Sequence, residues 1–328
     1  MELGIDLGTA NTVVSHARRG VLYDEPTVLL LRAGRSRRER VVAVGHEAAD
    51  LLGRTPAGLT AVRPLQDGVV TDLETARTYL RAVLHRAGRG WSPGVRAVIG
   101  VPVGSSALEQ RALLEAAEEA GIRPVTALAE PVAGAVGCGI DPMERRVHMV
   151  VDVGGGTAET AAFCFGGVLA SRTSTRAGEE MTRAVARHVR EQHQLQVGDL
   201  EAEALKIRAG TELDGPLVVQ GRDVTTGRPR LATVQPAEVA EAVRPVVDDV
   251  VGVLSACLDD LAPQAVSDVM AEGVLVIGGA SQVPGFAAEL ERSLGLPVKL
   301  AEEPLTCVAD GAARALRDRR LLAAYGRS

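Results

Sequence analysis

Ile5-Asp6-Leu7-Gly8-Thr9-Ala10-Asn11-Thr12 and Val151-Asp152-Val153-Gly154-Gly155-Gly156-Thr157-Ala158-Glu159-Thr160 are two copies of one pattern. Each is an apolar strand ending in an aspartate, then a turn of glycine and small residues, then a second β-rich run. Glycine lacks a Cβ, so backbone N–H groups in such a turn can approach a phosphate closely. Threonine hydroxyls add hydrogen bonds, and an Asp at the strand end can hold a water-coordinated Mg²⁺ opposite the phosphates. One hairpin of this kind is an ordinary turn with Gly in it. Two, in separate halves of one chain, read as a clamp. A third Gly-rich turn, Gly278-Gly279-Ala280-Ser281, follows later.

Working outward, the 328 residues are 46% hydrophobic, enough for two cores rather than one. Aromatics are only 2%, so the cores are expected to be built from Leu, Val, Ile and Ala. The net charge of −6 gives no drive toward nucleic acid, and none is expected as a partner. Cys138, Cys164, Cys257 and Cys307 have no paired-ligand spacing and read as small buried residues of a reducing, cytoplasmic compartment. No apolar run is long enough to span a bilayer. The first strand follows Met1 almost at once, so a signal peptide is not expected.

Strand and helix signals alternate, which argues for an α/β fold. Val41–Val44, Val95–Val101, Val147–Val153 and Val274–Ile277 read as strands. Thr71-x-x-Glu74 and Ser106-x-x-Glu109 read as capping boxes opening helices, the second closed by Gly121. Pro236 is predicted to begin a long helix toward Leu261, with a kink or break at Pro245, and another helix is predicted to start near Pro284.

The doubled hairpin resembles the phosphate-binding hairpins of the actin-like ATPase superfamily, and within it the match to MreB and Mbl runs nearly end to end. Glu25-Pro26-Thr27-Val28, Ala61-Val62-Arg63-Pro64-Leu65-Gln66-Asp67-Gly68-Val69-Val70, Ile99-Gly100-Val101-Pro102, Glu130-Pro131-Val132-Ala133-Gly134-Ala135, Ala177-Gly178-Glu179-Glu180-Met181 and Glu302-Glu303-Pro304-Leu305-Thr306 carry it. The resemblance implies an actin-like fold: two duplicated α/β domains around a nucleotide cleft, in four subdomains. Domain I would be 1–140 plus 304–328, with a satellite at about 32–67. Domain II would be 141–303, with a satellite at about 179–235.

The resemblance also implies site residues. Gly8, Thr9, Ala10 and Asn11 would hold one side of the phosphates of ATP or ADP, and Gly154, Gly155, Gly156 and Thr157 the other. Asp6 and Asp152 would reach Mg²⁺ through water. Gly278, Gly279 and Ala280 would form the adenosine-side turn. Glu203 and Lys206, a helical turn apart, would contact the ribose, although by spacing alone they read as a solvated ion pair. Glu130, with Thr157, would orient the water that attacks the γ-phosphate, in a reaction that rests on positioning and charge. Two departures bear on this site: a usual Thr is Ala158 and a usual Gly is Ala280. If residue 280 needs φ > 0, Ala there costs about 1–2 kcal/mol, enough to weaken binding by about tenfold.

The function so implied is a slow Mg²⁺-dependent ATPase that assembles head to tail into filaments. These would lie at the inner face of the cell membrane and direct cell-wall synthesis and cell shape through the elongation machinery. Trp91, the only Trp, sits in a Gly/Pro loop and is the candidate contact with an anionic membrane surface. Arg32, Arg35, Arg37, Arg38 and Arg40 read as a solvated turn. Two rivals are a paralogue that binds nucleotide but polymerises poorly, motivated by Ala158 and Ala280, and a metabolic kinase of the same superfamily, for which no sugar-pocket insertion is evident. A DnaK-type chaperone is disfavoured because the chain ends shortly after Leu322.

Overall fold

The computed structural model describes residues 1–32, 40–88, 94–212 and 215–327. Trp91, Arg35, Arg37 and Arg38 lie outside the described residues.

The hydrophobic runs are consumed by two five-stranded sheets of the same design. In the first, Glu2–Leu7, Asn11–His16 and Gly20–Pro26 form an antiparallel meander. Val95–Val101 and then Ile122–Ala129 extend it in parallel from the free side of Glu2–Leu7. The second repeats this with His148–Val153, Ala158–Cys164 and Gly167–Ser174 as the meander and Val274–Ile277 and Val298–Leu300 as the parallel extension. The parallel strands read as nearly unbroken apolar runs because helices cover both faces. In His148–Val153 every residue is buried.

Each sheet has its own core. Leu3, Ile5, Tyr79, Leu80, Ile99 and Ile122 anchor the first; Met149, Val151, Met181, Leu205, Val243 and Phe286 anchor the second. A third cluster joins them. Val98 and Leu128 from one sheet and Val150, Ala161, Phe163 and Ile277 from the other meet through helices Glu130–Gly137 and Cys307–Ala315. These helices pack backbone to backbone: a Cβ on Gly311 would stand 1.7 Å from the Ala133 carbonyl, and one on Gly4 2.0 Å from that of Ala309. The scarce aromatics are spread one or two to a cluster, and the rest of each core is aliphatic as expected. Two small three-stranded sheets complete the architecture: Leu29–Arg32 with Arg40–Val44 and Leu59–Val62, and Leu195–Gln196 with Leu217–Asp223 and Pro229–Val234. No helix among the described residues is long and apolar enough to cross a membrane.

The capping box at Ser106 and Glu109 and the left-handed Gly121 are as expected. One local expectation is corrected. The helix Leu73–Gly88 is capped by Asp72, whose Oδ2 accepts the Thr75 N–H at 2.7 Å. Thr71 instead donates its hydroxyl to the Pro64 carbonyl at 3.1 Å, and Asp is the better N-cap of the two. Pro236 opens a helix as expected, and Pro236–Asp259 continues through Pro245. Pro245 and Glu241 are exposed, so the carbonyl that loses its partner faces water. The chain after residue 278 forms a 3₁₀ turn, Gly279–Gln282, and the helix expected near Pro284 follows at Phe286.

Candidate functional site

Strand register sets the two hairpins in equivalent positions. Leu7 pairs with Thr12 and Val153 with Ala158. Each turn is closed by the same bond, Gly8 N–H to the Asn11 carbonyl at 3.1 Å and Gly154 N–H to the Thr157 carbonyl at 2.9 Å. The tips meet: a Cβ on Gly155 would lie 2.5 Å from Cβ of Ala10, and one on Gly156 2.5 Å from Oγ1 of Thr9. Only glycine on one side allows that approach. The N–H groups of Thr9, Ala10, Gly155 and Gly156 find no backbone acceptor among the described residues. Gly156 and Thr9 are nevertheless buried, and buried N–H groups are seldom left unpaired. Two facing loops of free donors are suited to an anion.

Behind the tips stand four carboxylates: Asp6, Glu130, Asp152 and Glu159. Burial, then Asp152 and Asp24, raises Asp6 to about 8. Burial raises Asp152 to about 7. Burial also raises Glu159 to about 7, against the N–H groups of Val103 and Gly104 that favour its charged form. Glu130 is pushed well above the ordinary range by burial and then by Glu159, Asp6 and Asp152. Asp6 and Glu130 keep a partly open edge. An all-oxygen donor set of this kind suits a hard divalent cation such as Mg²⁺. The residues present therefore fit both a phosphate chain and Mg²⁺.

Glu159 escaped the sequence reading. It is 1% exposed, pairs directly across the hairpin from Asp152, and accepts the Val103 N–H at 2.8 Å and the Thr173 hydroxyl at 3.2 Å. The signal was its place two residues after Thr157, which puts it on the same face as Asp152. Residues 67 and 68 were quoted only as signature. Gly68 N–H donates to Oγ1 of Thr9 at 2.9 Å, and Cα of Asp67 stands 2.9 Å from where a Gly156 Cβ would be. Arg63 also spans the cleft, 3.5 Å from Glu179.

The third glycine turn, with Gly178, gathers on the flank of the second. A Cβ on Gly178 would lie 2.9 Å from the Gly154 carbonyl and 3.1 Å from Cβ of Ala280. Gly278 has φ 85°, and a Cβ there would stand 2.4 Å from Oδ1 of Asp152. Ala280 is not among the positive-φ residues, so the strain expected of it does not arise; the left-handed position is Gly278. Ala158 is fully buried in the apolar cluster of the second sheet. Its register equivalent, Thr12, spends its hydroxyl on Thr27 at 2.8 Å, inside the fold.

Lys206 is not part of a solvated pair. It is 5% exposed, and its Nζ lies 2.7 Å from Glu203 Oε2, 3.0 Å from the Gly178 carbonyl and 3.0 Å from Thr182 Oγ1. An ammonium has three N–H donors, and all three are engaged. Glu203 also bonds the Thr182 hydroxyl but leaves 42% of its side chain exposed.

Comparison with known proteins agrees with this geometry. The chain is 35% identical over 322 residues to the cell shape-determining protein MreB of Escherichia coli (strain K12), spanning 96% of this chain and 93% of that one. It superimposes on MreB5 of Spiroplasma citri bound to AMPPNP with a TM-score of 0.88 at 26% identity, covering 97% of this chain and 96% of that one. Against the MamK double helical filament the TM-score is 0.80 at 25% identity, covering 96% and 98%. The fold is therefore actin-like. The family model of the MreB/Mbl proteins matches residues 1–324, and with sheets, turns and relatives in agreement along the whole of that span, the chain belongs to the MreB/Mbl family.

Proposed function

We propose that the chain is an ATP-binding, actin-like filament protein. The observation that carries this is the pair of facing glycine turns, with unpaired N–H groups at their tips and carboxylates behind them. In this reading Gly8 to Asn11 and Gly154 to Thr157 bind the phosphates. Asp6 and Asp152 hold Mg²⁺ through water, and Glu159 keeps the second hairpin seated against Val103. The metal, when bound, would supply positive charge against the phosphates. Glu130, with Thr157, orients the attacking water. Gly278, Gly279 and Ala280 flank the adenosine. Glu203 reaches the ribose, while Lys206, with its donors spent, positions Glu203.

The division into domains at 1–140 with 304–328 and at 141–303, with satellites at about 32–67 and 179–235, is part of the same proposal. It is supported by the two sheets of identical design. Head-to-tail assembly is supported by a relative solved as a filament and by the heterologous contact that such stacking uses. A role in cell shape is supported by the relatives' names; action through the cell-wall elongation machinery at the inner face of the membrane is what the family resemblance implies. Cosedimentation with anionic liposomes, wild type against Trp91→Ala, tests the membrane part. The poorly polymerising alternative loses Ala280 as support, since that residue has an ordinary backbone conformation.

Calorimetry with ATP tests the core of the proposal. One site is expected, with affinity that rises on adding Mg²⁺, and Asp152→Ala should abolish that rise. No ATP binding by the wild type, or an unchanged Mg²⁺ effect in the variant, overturns it.

A further inference from the structure

Away from the cleft, helix Gly178–His193 ends in two imidazoles, at His188 and His193. The helix stops because Gln194 turns left-handed, at φ 50°, and the two rings lie with centroids 6.1 Å apart. Glu238, in the first turn of helix Pro236–Asp259, faces both. Its Oε1 accepts the Gln235 N–H at 2.9 Å as half of a capping box, which fixes the carboxylate. Its Oε2 stands 3.2 Å from Nε2 of His188 and 2.8 Å from Nε2 of His193. The three ligand atoms lie within 4.8 Å of one another. The side chains are 20%, 19% and 32% exposed, sheltered but reachable from solvent.

We propose that His188, His193 and Glu238 form a site for a borderline divalent ion of the Zn²⁺ class. Two imidazoles and one carboxylate select Zn²⁺, Ni²⁺ or Cu²⁺ over Mg²⁺. Zn–N and Zn–O bonds of about 2.0–2.2 Å place tetrahedral ligand atoms roughly 3.4 Å apart. The spacings to Oε2 already lie within about 0.6 Å of that, and the two ring nitrogens, no more than 4.8 Å apart, close the set by approaching each other. Three protein ligands leave the fourth position to water. The nearby cation does not compete. Arg230 donates to the His193 backbone carbonyl and is paired with Asp223 at 2.9 Å. The site staples the end of one helix to the start of another. The first of these begins at Gly178, against the Gly154–Gly155 turn, so the ion would stiffen a lever that ends at the cleft.

The test uses the full, tag-free chain, stripped with chelator and titrated with Zn²⁺ against a chromogenic competitor. One equivalent is expected. His188→Gln and Glu238→Gln should each lower the affinity at least about tenfold, the lower bound for losing even an outer partner of a metal ligand. Glu238→Gln keeps the capping box, because Gln also serves at that position, so its loss of binding would not be a loss of fold. X-ray absorption at the zinc edge of the wild type should show two imidazole nitrogens. No stoichiometric Zn²⁺ on the wild type, wild-type affinity in Glu238→Gln, or a zinc shell without imidazole would each overturn the proposal.

Discussion

Lys206 and Glu203 form one ion pair, yet removing either partner should have very different consequences. Glu203→Leu leaves an ammonium that is 5% exposed with neutral acceptors only, the Gly178 carbonyl and the Thr182 hydroxyl. Stranding a buried charge in this way costs about 3–5 kcal/mol. Lys206→Met strands nothing. Glu203 keeps 42% of its side chain in solvent, and the Gly178 carbonyl still receives the Thr182 hydroxyl at 3.0 Å. The charge-assisted bonds lost, about 1.5–3 kcal/mol, are offset by no longer burying an ammonium, which costs several kcal/mol. A net change within about 1 kcal/mol follows. Urea denaturation of the nucleotide-free chain, followed by circular dichroism, measures both, and the double variant completes the cycle. Equal losses in the two single variants would refute the argument. So would a larger loss for Lys206→Met.

Three further outcomes are expected. Ala280→Gly should leave the nucleotide dissociation constant within about twofold, because residue 280 does not need φ > 0, whereas Gly278→Ala should destabilise by about 1–2 kcal/mol or more through its left-handed backbone and its approach to Asp152; calorimetry and melting of both variants decide this, and a tighter Ala280→Gly would contradict it. Glu130→Ala should keep ATP affinity and slow phosphate release by about 10²–10⁴, the usual share of a positioned base; an unchanged rate removes Glu130 from the chemistry. Asp152 and Glu159 are raised to about 7 and Asp6 to about 8 in the fold, so the folded chain holds more protons than the unfolded one from about pH 4 upward, and its stability without Mg²⁺-nucleotide should fall as pH climbs through about 8; a melting temperature that is flat or rises over that window would count against the carboxylate cluster.

Much of this was legible in the sequence because it is local. The Asp-x-Gly hairpins, the Ser106 capping box and the stop at Gly121 each depend on a few adjacent residues. An error arose where two local signals competed, as when Asp72 displaced Thr71 as the cap. What the sequence hid were relations across the fold. The spacing of Glu203 and Lys206 gives their contact but not the burial that saturates Lys206. Whether residue 280 needs φ > 0 stays open in the sequence, because one chain carries no record of φ; in the fold it is residue 278 that needs it. Glu159 gained its place from the Val103 N–H of the other sheet's connection, a partner that nothing near it announces.

The packing of strand Glu2–Leu7 against helix Cys307–Ala315, close enough that Gly4 admits no side chain, bears on how the protein is made. The sheet that holds Glu2–Leu7 cannot be covered on that face until residues 307–315 have left the ribosome. The other large sheet draws all its strands from residues 148 to 300, but its Val150, Ala161 and Phe163 are completed by that same helix. Domains fold as units during synthesis, and late, distant contacts are slow to form. Here both large sheets share one late helix, so strand Glu2–Leu7 stays an exposed apolar segment until Cys307–Ala315 emerges, and a holding chaperone would be its natural companion.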